Sequence, residues 1–165
     1  MGVNEDLDRI ALQERELVLP RLDADIAWQI GSKLRALAVE RHLPVVIDIR
    51  RFGQPLFYAA MDGTTPDNLE WVRRKGNVVA RFHHSSYTAA LHEKLKGKTI
   101  YESQGLHLAD FATHGGSFPL RVVNAGTIGS ITVSGLPMRQ DHELVIEALC
   151  SVLSRNYEQL KLPPE

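Results

Sequence analysis

The chain of 165 residues has one cysteine, Cys150, which excludes an intramolecular disulfide and with it a small disulfide-stapled scaffold. It lacks any apolar run near the roughly 20 residues that a membrane span needs. Its first residues, Met1 to Leu12, carry Glu5, Asp6 and Asp8 and neither a basic nor an apolar stretch. No secretory signal is therefore expected, and the chain reads as cytoplasmic. Excess charge of one sign is also missing, because 19 basic residues meet 20 acidic ones. That balance argues against a nucleic-acid binder, which would carry a general basic excess, and against an acidic disordered chain. No repeat, low-complexity segment or linker interrupts the sequence, and Lys161 to Glu165, with Pro163-Pro164, reads as a short tail. A chain of this length with 44% apolar residues can bury roughly 70% of its unfolded surface. One globular domain over residues 1–165 is expected.

Several catalytic signatures are missing as well. Neither Gly129-Ser130-Ile131 nor Ser134-Gly135 completes the Gly-x-Ser-x-Gly elbow of a serine hydrolase. There is no Walker motif, and Gly126-Thr127-Ile128-Gly129 has neither the spacing nor the helix N-terminus of a dinucleotide loop. Seven histidines are present without His-Glu-x-x-His or Cys-x-x-Cys. His83 and His84 point to different faces of any regular element, and His92 follows His84 by eight residues. No protein-only metal site is expected. Cys150, beside Leu149 in an apolar helical stripe, reads as a buried, inert thiol.

What is present is periodicity. Leu7, Ile10 and Ala11 suggest a short first helix, followed by a short strand Leu17-Val18-Leu19 that Pro20 stops. Asp23 or Asp25 can cap a helix carrying Ile26, Ile30, Leu34 and Leu37, which ends near His42 before Pro44. Val45 to Ile49 and Leu56 to Met61 read as a hairpin around Gly53-Gln54-Pro55. Thr65 and Pro66 start a helix whose inner face is Leu69, Val72, Gly76 and Val79. Ser85 or Ser86 starts another, through Leu91 and Leu95 to Gly97. Phe118 to Val123 and Thr127 to Ser134 form a second hairpin, and Pro137 opens a last helix with Leu144, Val145, Ala148, Leu149, Val152 and Leu153. Hairpins of this kind predict a mostly antiparallel sheet with helices packed on it, an α+β class.

Charge is uneven despite its balance. From Arg73 to Lys98 seven basic residues meet Glu93 alone, a net +6 over 26 residues, whereas Met1 to Asp48 carries nine acidic and six basic residues. Arg74 and Arg81 share a helix face with Asn77 and Val78 and could clamp a carboxylate or phosphate. A solvated helix face is the alternative. His114 precedes Gly115-Gly116, which let the backbone approach a ligand closely or adopt positive φ, and which equally suit a tight turn into a strand. Asp141-His142-Glu143 lies in the first turns of the last helix. Neighbours there diverge by about 100°, so Asp141 and His142 are not expected to bond to each other.

The stretch His114-Gly115-Gly116-Ser117-Phe118-Pro119-Leu120, the run Gly126 to Leu136 with Val133-Ser134-Gly135, and Asp141-His142 together resemble the GlcG/HbpS-like heme-degrading-domain superfamily. Within it the chain is similar to the uncharacterised protein family numbered 0303. Gln13-Glu14 with Leu17 to Leu19, Ala27-Trp28 up to Gly31, Trp71 with Arg74-Lys75, and Arg81-Phe82 before Ser85-Ser86-Tyr87 are similar too, so the likeness spans nearly the whole chain. Two departures are Phe118 within Gly-Gly-x-Phe-Pro and the helix and strand that residues 1–22 add.

The resemblance implies a profilin-like α+β domain with a mostly antiparallel five-stranded sheet flanked by helices. It also implies a homo-oligomer of dimers assembling into rings. The function implied is binding of a small anionic ligand, with heme as a candidate cofactor and at most weak heme-degrading activity. Chemistry then places Arg74, Lys75 and Arg81 toward the ligand's carboxylates and His114, with Gly115 and Gly116, at an axial or polar contact. No catalytic residue is assigned. Two alternatives stand beside this: a non-enzymatic oligomeric module for a protein partner, using sheet edges or Trp28 with Tyr157, and a hydrolase of an anionic substrate using Asp141 or His142.

Overall fold

Alternation along three strands decides the architecture. In β2 (Val46–Arg51), β4 (Ser117–Val122) and β5 (Gly126–Ser134), Ile47, Ile49, Phe118, Leu120, Ile131 and Val133 are all buried in one core. Successive side chains on a strand face opposite ways, so Asp48, Ser117, Ser130, Thr132 and Ser134 fall on the other face, and all five are buried too. The sheet thus has an apolar and a polar side, both covered. Helices α2 (Ala24–Arg41) and α6 (Met138–Val152) bury Ile30, Leu34, Val145 and Leu149 against the apolar side. Helix α3 (Pro66–Phe82) crosses the polar side, with Gly76 above the Ser130 and Thr132 hydroxyls. The structure, a computed structural model, describes residues 2–165. Met1, where the expected domain begins, lies outside the described residues.

The sheet order is β1-β4-β5-β2-β3, with β1 (Val18–Leu19) and β3 (Gln54–Ala60) at its edges. Three of the four strand pairs, β4–β5, β5–β2 and β2–β3, are antiparallel, and β1 pairs in parallel with β4 through Val18 with Arg121 and Leu19 with Val122. The sheet is therefore mixed. A two-residue strand followed by a helix cannot return as a hairpin, and its partner lies about a hundred residues on. The β2–β3 turn is Phe52-Gly53, both with positive φ, as a two-residue hairpin of the primed type requires. It starts one residue before Gly53-Gln54-Pro55 and ends two residues before Pro55, since Gln54 and Pro55 already pair with Arg51 and Arg50.

The expected helix ends are present. Asp23 accepts from the Ile26 N–H at 2.9 Å, Thr65 and Asn68 form a capping box before Pro66, and Ser85 accepts from the Thr88 N–H at 3.0 Å. Gly97 ends α4 (Ser86–Lys96) in the left-handed conformation. Three differences stand out. The first helix, α1, is long, Val3–Glu16, and two short helices, α5 (Ile100–Gln104) and α7 (Tyr157–Leu160), are additional. On α3 Leu69 points outward, while Lys75 and Val78 are buried. Trp28 is exposed, whereas the Tyr157 hydroxyl is tied to Glu143 at 2.7 Å.

A buried polar layer joins α1 to the rest. Gln13 donates to the Leu160 carbonyl at 2.7 Å, which leaves its amide oxygen to accept from His142 Nε2 at 2.8 Å. His142 is wholly buried, and burial followed by the Arg139 cation drops its pKa to about 3, so it stays a neutral imidazole. No helix among the described residues is long and apolar enough to cross a membrane.

Candidate functional site

Helix α3 carries Trp71, Arg74 and Lys75, and the segment after α5 brings His114 beside them. The rings of Trp71 and His114 meet edge to face with centroids 4.9 Å apart. Arg74, one turn on from Trp71, lies over its indole at 4.9 Å and donates from Nε to the Leu108 carbonyl at 3.0 Å. The spacing of three residues on a helix is what puts a cation on an aromatic face here.

Below the rings is an ion pair shut off from water. Lys75 Nζ donates to Asp141 Oδ2 at 3.0 Å and to the Val133 carbonyl at 3.2 Å. Asp141 also accepts from the N–H groups of Leu136 and Gly135 at 2.9 and 3.4 Å. Burial lowers the Lys75 pKa and raises that of Asp141, and each charge opposes the effect on its partner. Three donors on one carboxylate form the pattern that keeps a buried acid ionised. Such pairs are costly to break from one side only.

Gly115 and Gly116 are demanded by this packing. A side chain on Gly115 would meet the Met138 carbonyl oxygen at 2.3 Å, and one on Gly116 the Val133 carbonyl oxygen at 2.3 Å and Lys75 Nζ at 2.8 Å. Gly116 also has φ of +134°, a conformation other residues rarely adopt. The space above both glycines is filled by the chain itself.

His114, Trp71, Lys75, Asp141 and Met138 line a depression of about 200 Å³. The imidazole is exposed at its rim and has no hydrogen-bond partner among the described residues. Packed protein on its inner side, then the Lys75 and Arg74 cations, lower its pKa and favour the neutral ring. Of the residues expected at a site, the fold brings together Lys75, His114, Gly115 and Gly116, with Arg74 at the edge. Arg81 stands apart, exposed, near Asn77, Ala80 and Phe111. The basic segment is dispersed: Arg73 is paired with Glu70 and Asp110, Lys75 is buried, and Asn77 donates to the Asp110 carbonyl at 2.7 Å. Among the described residues no group of three or more His, Cys, Asp or Glu is placed to hold a metal ion. Trp71 is the member that charge reading overlooks, and its place three residues before Arg74 is the signal for it.

Comparison with known proteins agrees with this fold. The model of the family described as Haem degrading protein HbpS-like matches residues 22–150. A UPF0303 protein of Burkholderia thailandensis is 56% identical over 162 residues, covering 98% of each chain. The crystal structure of the Ybr137w protein superimposes with a TM-score of 0.85 at 25% identity, over 93% of this chain and 92% of that one. A structure of a PduOC:Heme complex matches with a TM-score of 0.67 at 19% identity, over 79% and 94% of the two chains. By the family match over most of its length and by its identity to curated relatives, the chain belongs to the HbpS-like family and to UPF0303.

Proposed function

We propose that this protein binds a small anionic ligand, with heme the specific candidate, as a cytoplasmic homo-oligomer of dimers assembling into rings, residues 1–165 acting as one domain. The observation that carries this is His114: an exposed imidazole held toward its neutral form, free of hydrogen bonds to the described residues, against the Trp71 ring. A neutral imidazole is the form that ligates iron. His114 would hold the iron, Trp71 would lie beside the bound group, and Arg74, at the edge of the depression, would serve a carboxylate. Lys75 and Asp141, with Gly115 and Gly116, would fix the floor on which His114 stands. Bound heme would supply a redox-active iron, and the proposal assigns no chemical step to the chain's own residues. Pockets that enclose a drug-sized ligand run from roughly 300 to 1,000 Å³, so a depression of about 200 Å³ would grip one part of a heme. A second copy of the chain would cover the remainder, which links binding to assembly. The family's description and the heme in the PduOC complex support this reading.

A protein-interaction role is the second reading, favoured by Trp28, 66% exposed and resting on Phe57, and by the exposed edge strand β3. Hemin titration followed at the Soret band separates the two. Heme binding predicts a shifted, saturable band that His114→Ala weakens by about tenfold or more, equivalent to 1.4 kcal/mol. A band that stays at the position of free hemin removes the heme proposal. Light scattering on the purified protein tests the ring, and a monomer at all concentrations would contradict it.

A further inference from the structure

A second hollow lies between α3 and the polar side of the sheet. It has a volume of about 320 Å³ and shares no lining residue with the depression at His114. Its floor is Asp48. The alternation that buries Ile47 and Ile49 in the apolar core turns Asp48 to the α3 side, where it is 1% exposed. Asp48 Oδ1 accepts from Arg50 Nε at 2.9 Å, but Oδ2 has no protein partner among the described residues. Leaving a buried polar atom unpartnered costs on the order of 1–3 kcal/mol. Burial, only partly opposed by Arg50, raises the Asp48 pKa.

The surroundings leave open space beside this residue. Gly76 sits mid-helix, where glycine costs about 1 kcal/mol relative to alanine. A Cβ there would meet only Ser130 Oγ at 3.8 Å and Thr132 Oγ1 at 3.9 Å, so packing does not demand the glycine; its absent side chain leaves room in the hollow. Val72, Ala80 and Ile128 supply apolar walls. Phe52 stands at the lip, 79% exposed and with φ of +48°, a conformation that bulky residues rarely hold. Arg50 also lines the space, and its terminal nitrogens make no protein hydrogen bond among the described residues.

We propose that this cleft is a separate binding site for a small neutral molecule bearing an amide-type group, its N–H donated to Asp48 Oδ2 and its carbonyl accepting from Arg50. The molecule's apolar body lies between Val72, Ala80 and Phe52. A carboxylate ligand brings no donor and faces Asp48, while a cation faces the terminal nitrogens of Arg50. Neutral donor-acceptor groups suit the pair best.

Benzamide and benzoate are matched probes, one with the amide and one without the donor. In amide NMR spectra of the full-length protein, benzamide at millimolar concentration should shift the signals of Gly76, Asn77, Gly129 and Ser130 saturably. Benzoate should shift them at least about tenfold less at equal concentration, a difference of 1.4 kcal/mol. Gly76→Leu, which fills the cleft, should abolish the benzamide response, and nuclear Overhauser contacts from the benzamide ring to the methyls of Val72 and Ile128 place the probe without any variant. No heme enters this measurement, so its outcome is independent of the hemin titration. Absence of saturable shifts, an equal response to benzoate, or contacts mapping elsewhere overturns the proposal.

Discussion

Glu14 offers a sharp test of the buried polar layer. It lies on α1 at 7% exposure and accepts from the Ser85 N–H at 3.1 Å, with the Arg121 guanidinium 3.9 Å away. Burial outweighs those two partners and raises its pKa from 4.5 to about 7. At about 1.4 kcal/mol per pKa unit, that difference costs the folded state roughly 3 kcal/mol once the group is ionised. The folded protein binds the extra proton between pH 4.5 and about 7, so Glu14's contribution is fully favourable below that window and is lost as pH rises through it. Glu14→Gln keeps an oxygen for Ser85 and removes the charge. Urea unfolding followed by circular dichroism should find the variant nearly as stable as the native protein at pH 4.5. At pH 8 it should be more stable by up to about 3 kcal/mol, a midpoint shift of roughly 1–3 M. Other titrating groups act in both proteins and cancel in the difference. A variant no more stable at pH 8, or one offset equally at both pH values, would refute the reasoning.

Other predictions probe the packing around α3. Lys75→Met strands Asp141 in the interior and should cost about 3–5 kcal/mol in chemical denaturation; a loss under about 1 kcal/mol would mean that the pair is not closed to water. Gly116→Ala forces a Cβ onto the Val133 carbonyl in a left-handed backbone and should destabilise by several kcal/mol, more than about 3, whereas Gly53→Ala, with open space around it, should cost only about 1 kcal/mol. Gly76→Ala should stabilise by about 0.5–1 kcal/mol, since the methyl meets nothing closer than 3.8 Å. Thermal melts of these three variants decide the ranking, and a stabilising Gly116→Ala or a destabilising Gly76→Ala would contradict it.

Much of the fold is legible in the chain because local signals coincide there with tertiary packing. Asp23, Thr65, Ser85 and Gly97 sit where capping chemistry needs them, and the β-branched runs at Val46 and Thr127 have no better use than a sheet. The short α5 escapes periodicity because it is held by Glu93, seven residues away, whose carboxylate receives the Ile100 N–H at 3.0 Å. The parallel β1–β4 pair escapes for the same reason on a longer scale. At the candidate site, Lys75 reads as one of a cluster of exposed cations, and only Asp141, 66 residues later, explains why it is buried. Asp48, lone among Val45, Val46, Ile47 and Ile49, is the signal in the sequence for the cleft under α3. Gln13 and Glu14 carry part of the family resemblance, and the structure gives the reason: both are buried polar anchors of α1.

The central claim is that His114 presents a neutral imidazole to heme iron. The most direct measurement is the absorption spectrum of hemin with His114→Ala, recorded before and after free imidazole is added. The account predicts that the variant loses the native Soret position and that imidazole restores it, because the missing ring is supplied from solution. A variant spectrum identical to that of the native protein would show that iron, if bound, takes its ligand elsewhere, and would contradict the account.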